Sequence, residues 1–214
     1  YVFLAMTFFL FYASVGFFGL ESSLIRYVGS AYDEEKVEKI SEYALSAVAI
    51  VTFSSVMIIC VHYFVISDLL LYFSVSEVVV DVLAIYILSL IPYSLCVVFC
   101  SILRCVNKAS LAVLLDSVLI PFISTFVLYF VFDLNGSDDV NLIGYINLFS
   151  SVVAFLIPLF FIFPYVSCRK FSKLYVSRLV KAGFPMLAAG LVVFFTSLAP
   201  MFFLERSFGG EEVA

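Results

Sequence analysis

Asp116 is a carboxylate placed inside an otherwise apolar run of residues. It lies about seven residues, or on the order of 10 Å of helix, from the basic end of that run. On membrane-insertion scales a charge at the centre of a helix costs roughly 2.5–3.5 kcal/mol. A carboxylate kept there has two uses: taking up a proton or cation in a wet cavity, or neutralising a base such as Arg104 or Lys108. Ser110, Ser117 and Ser124 recur every seven residues beside it, a stripe that turns this face towards neighbouring helices or water. Arg26 follows the first apolar run, with Thr7, Ser14 and Glu21 at the same seven-residue spacing before it. Its guanidinium is placed either to reach lipid headgroups on its long stem or to line a polar vestibule. Gly144, Asn147 and Ser151 form a further small polar face, and Thr196-Ser197 adds to the last run.

Other reactive residues lack the company that chemistry needs. His62 is the one histidine, with no cysteine or carboxylate spaced for a metal. Cys60, Cys96, Cys100, Cys105 and Cys168 lie in or beside apolar runs, without a Cys-x-x-Cys pair, and read as small apolar fillers. Glu34-Glu35 and Asp138-Asp139 lack the partners of a membrane protease or a magnesium-dependent prenyl transferase. The sequence has neither a nucleophile elbow nor a phosphate-cradling glycine loop. The reading is therefore a non-enzyme without metal or cofactor, and nothing suggests a nucleic-acid partner.

The elements that carry these residues follow from composition. Of 214 residues 64% are hydrophobic and 13% charged, with a mean hydropathy of +1.20. A soluble domain could not cover that much apolar surface. Charge-free runs span Tyr1–Leu20, Tyr43–Ser67, Val82–Leu103, Ser117–Phe132, Val140–Cys168 and Ala182–Leu204. A bilayer core about 30 Å thick needs roughly 20 helical residues. Five runs reach that length, and the fourth does so from Ala109 with Asp116 inside it. The expectation is an all-α, polytopic membrane bundle of six spans, since barrel strands would alternate in segments of about 10 residues. The first run has no basic start or cleavage pattern of a signal peptide, and the chain reads as cut at both ends. Pro92, Pro121, Pro158 and Pro185 fall inside spans, where each is expected to leave a bend and a hinge.

Orientation comes from the basic residues. The connections after spans one, three and five hold ten of them, against Arg206 alone elsewhere. The positive-inside rule places residues 30–39, 104–108 and 169–181 in the cytoplasm. Ser67–Asp81 reads as a short interfacial helix or as the flared ends of two spans. Asn135-Gly136 signals a turn, and Ser172–Lys181 an amphipathic helix on the inner leaflet leading into the last span.

Three segments carry a family resemblance. Gly16–Gly29 (GFFGLESSLIRYVG), with the charged Asp33–Lys36 after it, resembles the end of the second helix of polysaccharide flippases. Ser101–Lys108 (SILRCVNK) is similar to their Leu-Arg-Gly turn between helices four and five, with Cys105 in place of glycine. Val180–Leu187 (VKAGFPML) resembles the opening of helix seven, and Phe208–Val213 the segment beyond it. These are the lipid-linked oligosaccharide flippases of the MOP superfamily, of the O-antigen, teichoic-acid and exopolysaccharide export type, akin to MATE drug exporters.

The resemblance implies helices two to seven of such a protein: residues 1–168 from the first lobe, 169–181 an inter-lobe linker, and 182–214 the first helix of the second lobe. It implies alternating access, carrying a polyprenyl-pyrophosphate-linked glycan from the cytoplasmic to the outer leaflet of the cell membrane. Arg26 and Arg104 would then meet the anionic pyrophosphate, and Asp116 would couple an ion or pair internally. The implied partners are the lipid bilayer, the lipid-linked glycan, and envelope glycan polymerases or glycosyltransferases. A MATE-like, cation-coupled exporter of small molecules is the alternative.

Overall fold

The computed structural model describes residues 2–34, 36–72, 75–135, 141–165 and 173–208. Its helices are α1 (Val2–Gly16), α2 (Leu20–Asp33), α3 (Val37–Val61), α4 (Ser67–Tyr72), α5 (Glu77–Leu88), α6 (Leu90–Cys105), α7 (Ala109–Val113), α8 (Ile120–Asn135), α9 (Asn141–Ile162) and α10 (Lys173–Phe208). Widened π-helical turns at His62–Ile66 and Leu114–Leu119 join α3 to α4 and α7 to α8. Among the described residues, Glu38–Tyr72, Ala109–Phe130 and Asn141–Tyr165 are each long and apolar enough to cross a bilayer. Two bent pairs do so together: Leu4–Gly16 with Leu20–Asp33, and Glu77–Leu88 with Leu90–Cys105. The sixth run lies in α10, and its residues from Ser197 onwards have side chains outside the described set.

The all-α bundle stands as expected, but spans one and three are broken rather than continuous. The first bends by 41° where Phe18 (φ 52°) and Gly19 (φ 64°) both adopt left-handed backbone. Glycine makes such a turn at little cost, whereas phenylalanine there is strained. The elbow is also where the chain comes closest to α10. A Cβ on Gly19 would lie 2.3 Å from the Gly183 carbonyl oxygen, and one on Gly183 would lie 2.4 Å from that of Phe18. The third span bends by 47° at Ser89. Pro92 occupies the first turn of α6, and its ring excludes the carbonyl four residues back, which ends α5 at Leu88.

A break inside a bilayer frees backbone groups that lipid cannot satisfy. Both breaks are met by a polar side chain from a neighbouring helix. Ser54 of α3 donates to the Gly16 carbonyl at 2.6 Å, and Asn147 of α9 donates to Ser89 Oγ at 2.9 Å. Ser89 in turn donates to the Tyr86 carbonyl at 2.5 Å.

The prolines are not equivalent. Pro92 coincides with a break and Pro121 directly follows the π-helical turn, whereas α9 and α10 continue as helix through Pro158 and Pro185. The break in the first span is built on glycine, with no proline at the bend.

Two clusters form the core. One joins α2, α3, α6 and α9 around Leu24, Val28, Ala47, Cys100 and Leu103; the other joins α1, α4 and α5 around Phe9, Leu83 and Ile87. Helix α6 is the hub, packed against α9, α2 and α3. The outer surface is apolar, with Phe53, Phe122, Phe160 and Phe184 all exposed, as suits lipid rather than water. Of the two readings of Ser67–Asp81, the structure has the flared ends: α4 extends the second span to Tyr72 and α5 begins at Glu77. Residues 173–181 form the first turns of α10, where Leu179 is fully buried and Tyr175 packs edge-on against Tyr43 at 4.5 Å. Residues 166–172, with Cys168, Arg169 and Lys170, and residues 136–140, with Gly136 and Asp138-Asp139, lie outside the described residues.

Candidate functional site

Glu21 stands in the first turn of α2, just past the glycine elbow, where the positive end of the helix dipole favours a carboxylate. Arg104 stands in the last turn of α6. Asp116 lies in the π-helical turn, which carries one more residue per turn and so rotates it relative to a regular helix. The three converge. Arg104 donates from Nη2 to Asp116 Oδ2 at 2.6 Å and from Nη1 to Glu21 Oε1. One cation is thus shared by two carboxylates, and the group carries a net charge of about −1 when both are ionised. Arg104 and Asp116 are mostly enclosed, while Glu21 is more open.

Asp116 also borders a cavity of about 390 Å³ lined by α1, α5, α6, α8, α9 and the π-helical turn. Ser117, Ser124, Thr125 and Asn147 are among its polar lining, with Tyr86 and Tyr93. The serine stripe is therefore partly confirmed, for Ser117 and Ser124 reach the cavity and Ser110 does not line it. The glycine of the other polar face has a packing role: a Cβ on Gly144 would lie 2.9 Å from Ile85 Cγ2. Ser151 is buried away from the cavity, with no hydrogen-bond partner among the described residues.

Of the two readings of Asp116, pairing and cavity-lining hold together, and the partner is Arg104. Lys108 instead sits over the rings of Tyr165 and Phe161, at 5.4 and 5.8 Å. Arg26 is brought to neither the triad nor the cavity. It is exposed on α2, with its guanidinium 5.9 Å from the Tyr27 ring centroid. Glu21 is the member that sequence spacing left without a role. Its stripe with Thr7 and Ser14 is interrupted by the elbow, and Ser14 bonds back to the Leu10 carbonyl at 2.9 Å.

The turn after α6 departs from the expected glycine without strain at Cys105. The left-handed residue is Asn107 (φ 60°), a type that tolerates this backbone, and Cys105 still belongs to α6. His62 is fully buried, its Nδ1 lies 3.2 Å from the Tyr12 hydroxyl, and Nε2 has no partner among the described residues. No group of three metal-ligating side chains occurs among the described residues. Outside the spans, Glu34 is bridged by Lys36 at 2.6 Å and Lys39 at 3.6 Å. The Lys36 hydrogen bond, reinforced by the charges of Lys36 and Lys39, holds its carboxyl below the usual value.

Bent apolar helices among the described residues, with a charged group within the bundle, are those of a multi-pass membrane protein. The MatE family model matches residues 2–133, and the chain belongs to that family, a branch of the MOP superfamily of transporters. Members of this family are transporters, not enzymes. No curated protein and no solved structure matches the chain.

Proposed function

We propose that this MOP-superfamily transporter moves a polyprenyl-pyrophosphate-linked oligosaccharide from the cytoplasmic to the outer leaflet, for polysaccharide export. The observation that carries the reading is the segment Gly16–Gly29, whose likeness to polysaccharide flippases coincides with a structural unit. It folds as a glycine elbow followed by a helix that lifts Arg26 to the surface, and among the described residues no carboxylate holds Arg26 in an ion pair. An uncommitted cation at the basic end of the bundle suits an anionic pyrophosphate. Arg104 suits it less, because its charge is already shared by Glu21 and Asp116. In this scheme the triad and its cavity serve the driving ion. Protonation or cation binding at Asp116 releases Arg104 to Glu21 alone and loosens the tie between α6 and the turn before α8. Pro92 and Pro121, next to a break and a wide turn, are the better placed of the four prolines to flex.

One observation favours a second reading. The cavity wall carries an excess of carboxylate over cation, which suits a cationic small molecule exchanged for a coupling ion, as in a MATE-type exporter. Expression of the full-length protein in a strain lacking its polysaccharide flippase separates the two. Restored surface glycan, lost again with Arg26→Ala at equal protein level, is the outcome expected. Resistance to cationic dyes without glycan restoration would replace the flippase reading with the exporter.

A further inference from the structure

A polar recess and an apolar trough lie along one seam, where α10 crosses α2 and α3. The recess, about 300 Å³, is lined by Tyr27, Ser30, Glu34, Lys39, Tyr43 and Arg178. The trough, about 540 Å³ and almost wholly apolar, runs beside α3 from Ala49 to Ile58, with Val176 and Val180 of α10 as its other wall. From Tyr43 to Ala49 is six residues of helix, so the trough begins about 9 Å deeper than the recess. Ser54 marks its middle, level with the elbow at Gly16.

The charges complete the pattern. Lys36 and Lys39 both reach Glu34, leaving that trio with one positive charge in excess, and Arg178 adds a second. Arg178 springs from the same turns of α10 as Val176 and Val180, yet its guanidinium lies 6.0 Å from the Tyr175 ring and lines the polar recess. This is the geometry of a basic side chain reaching from apolar surroundings to the headgroup level. Tyr27 stacks on Tyr43 at 5.5 Å and Tyr43 meets Tyr175 edge-on, an aromatic wall of the kind found at membrane interfaces. The Glu42 carboxylate lies near Tyr175, so one negative charge stands beside this wall.

We propose that this seam is a binding site for one anionic glycerophospholipid, its phosphate held by Arg178 and Lys39 and one acyl chain lying in the trough. A lipid there would tie α10 to the α2–α3 hairpin without entering the triad's cavity.

Native mass spectrometry of the purified full-length protein, delipidated and titrated with defined lipids, tests it. Phosphatidylglycerol is expected to bind at least about tenfold more tightly than phosphatidylcholine, a difference of about 1.4 kcal/mol. The pair Arg178→Gln and Lys39→Gln should bring it down to the phosphatidylcholine level, and Arg178→Lys should retain the preference. Ala49→Phe, an exposed position that fills the trough, should weaken phosphatidylglycerol without changing the fold by circular dichroism. Equal binding of the two lipids, or a preference that survives the double substitution, would overturn the site. Unchanged binding in Ala49→Phe would remove the acyl-chain half of it. Tighter binding of undecaprenyl phosphate than of phosphatidylglycerol would overturn the assignment to a phospholipid.

Discussion

Substituting Arg104 by glutamine should damage this protein more than removing either carboxylate it serves. In Arg104→Gln, Glu21 and Asp116 lose their common cation and face each other as two negative charges. Breaking a buried pair by deleting one partner costs about 3–5 kcal/mol, and an exposed pair is worth about 0–1 kcal/mol. Asp116 lies nearer the first case, with its side chain 21% exposed, and Glu21 nearer the second, at 43%. The expected loss for Arg104→Gln is therefore about 2–4 kcal/mol after allowing for partial exposure. That corresponds to a fall of roughly 5–12 °C in melting temperature for a chain of this size. Asp116→Asn leaves Arg104 paired with Glu21, and Glu21→Gln leaves it paired with Asp116, so each should cost about half as much or less. The triple change Glu21→Gln, Arg104→Gln, Asp116→Asn removes the stranded charges and should recover most of the loss. Thermal unfolding in detergent, read by a thiol-reactive dye or by loss of monodisperse protein, measures all four variants. An Arg104→Gln protein as stable as the parent, or a triple variant no better than the single, would refute the shared-cation geometry.

Three further outcomes follow from single contacts. Gly183→Leu should be far more harmful than Gly190→Leu, because a Cβ at 183 meets the Phe18 carbonyl at 2.4 Å while one at 190 meets nothing within 4 Å; membrane expression and monodispersity compare them. Tyr12→Phe or His62→Leu alone should each cost about 1–3 kcal/mol by stranding the other's polar atom, whereas the double variant should lie closer to the parent than the two losses added, in a double-mutant cycle on melting temperature. Glu34 is bound to Lys36 in the folded state and its carboxyl is held down, so the stability it adds is present above the ordinary carboxylate value and lost as pH falls through the lowered one. Lys36→Gln should raise the Glu34 carboxyl towards its ordinary value, seen by carbon NMR of labelled glutamate, and a titration that does not move would remove the bridge from the account.

The glycines of Gly16–Gly29 were conspicuous without coordinates, but the reason for them was not. Gly19 is required because α10, more than 160 residues later in the chain, passes within contact of its backbone. The prolines show the reverse. They are conspicuous in the sequence, yet α9 and α10 pass through Pro158 and Pro185 unbroken, and the first span breaks where there is none.

Composition and the length of the apolar runs by themselves determined that this is an all-helical membrane protein, since a bilayer excludes unpaired backbone groups whatever the side chains beside them. The order of those runs and the position of Asp116 within one were equally local facts. Only the tertiary structure decided which base Asp116 meets, that Glu21 shares it, that Arg26 stands apart, and that Ser54 and Asn147 serve the two breaks. These depend on helix rotation and on crossings between segments distant in sequence. The widened turn at Leu114–Leu119 sets the direction of Asp116 while leaving the pattern of apolar and polar residues untouched.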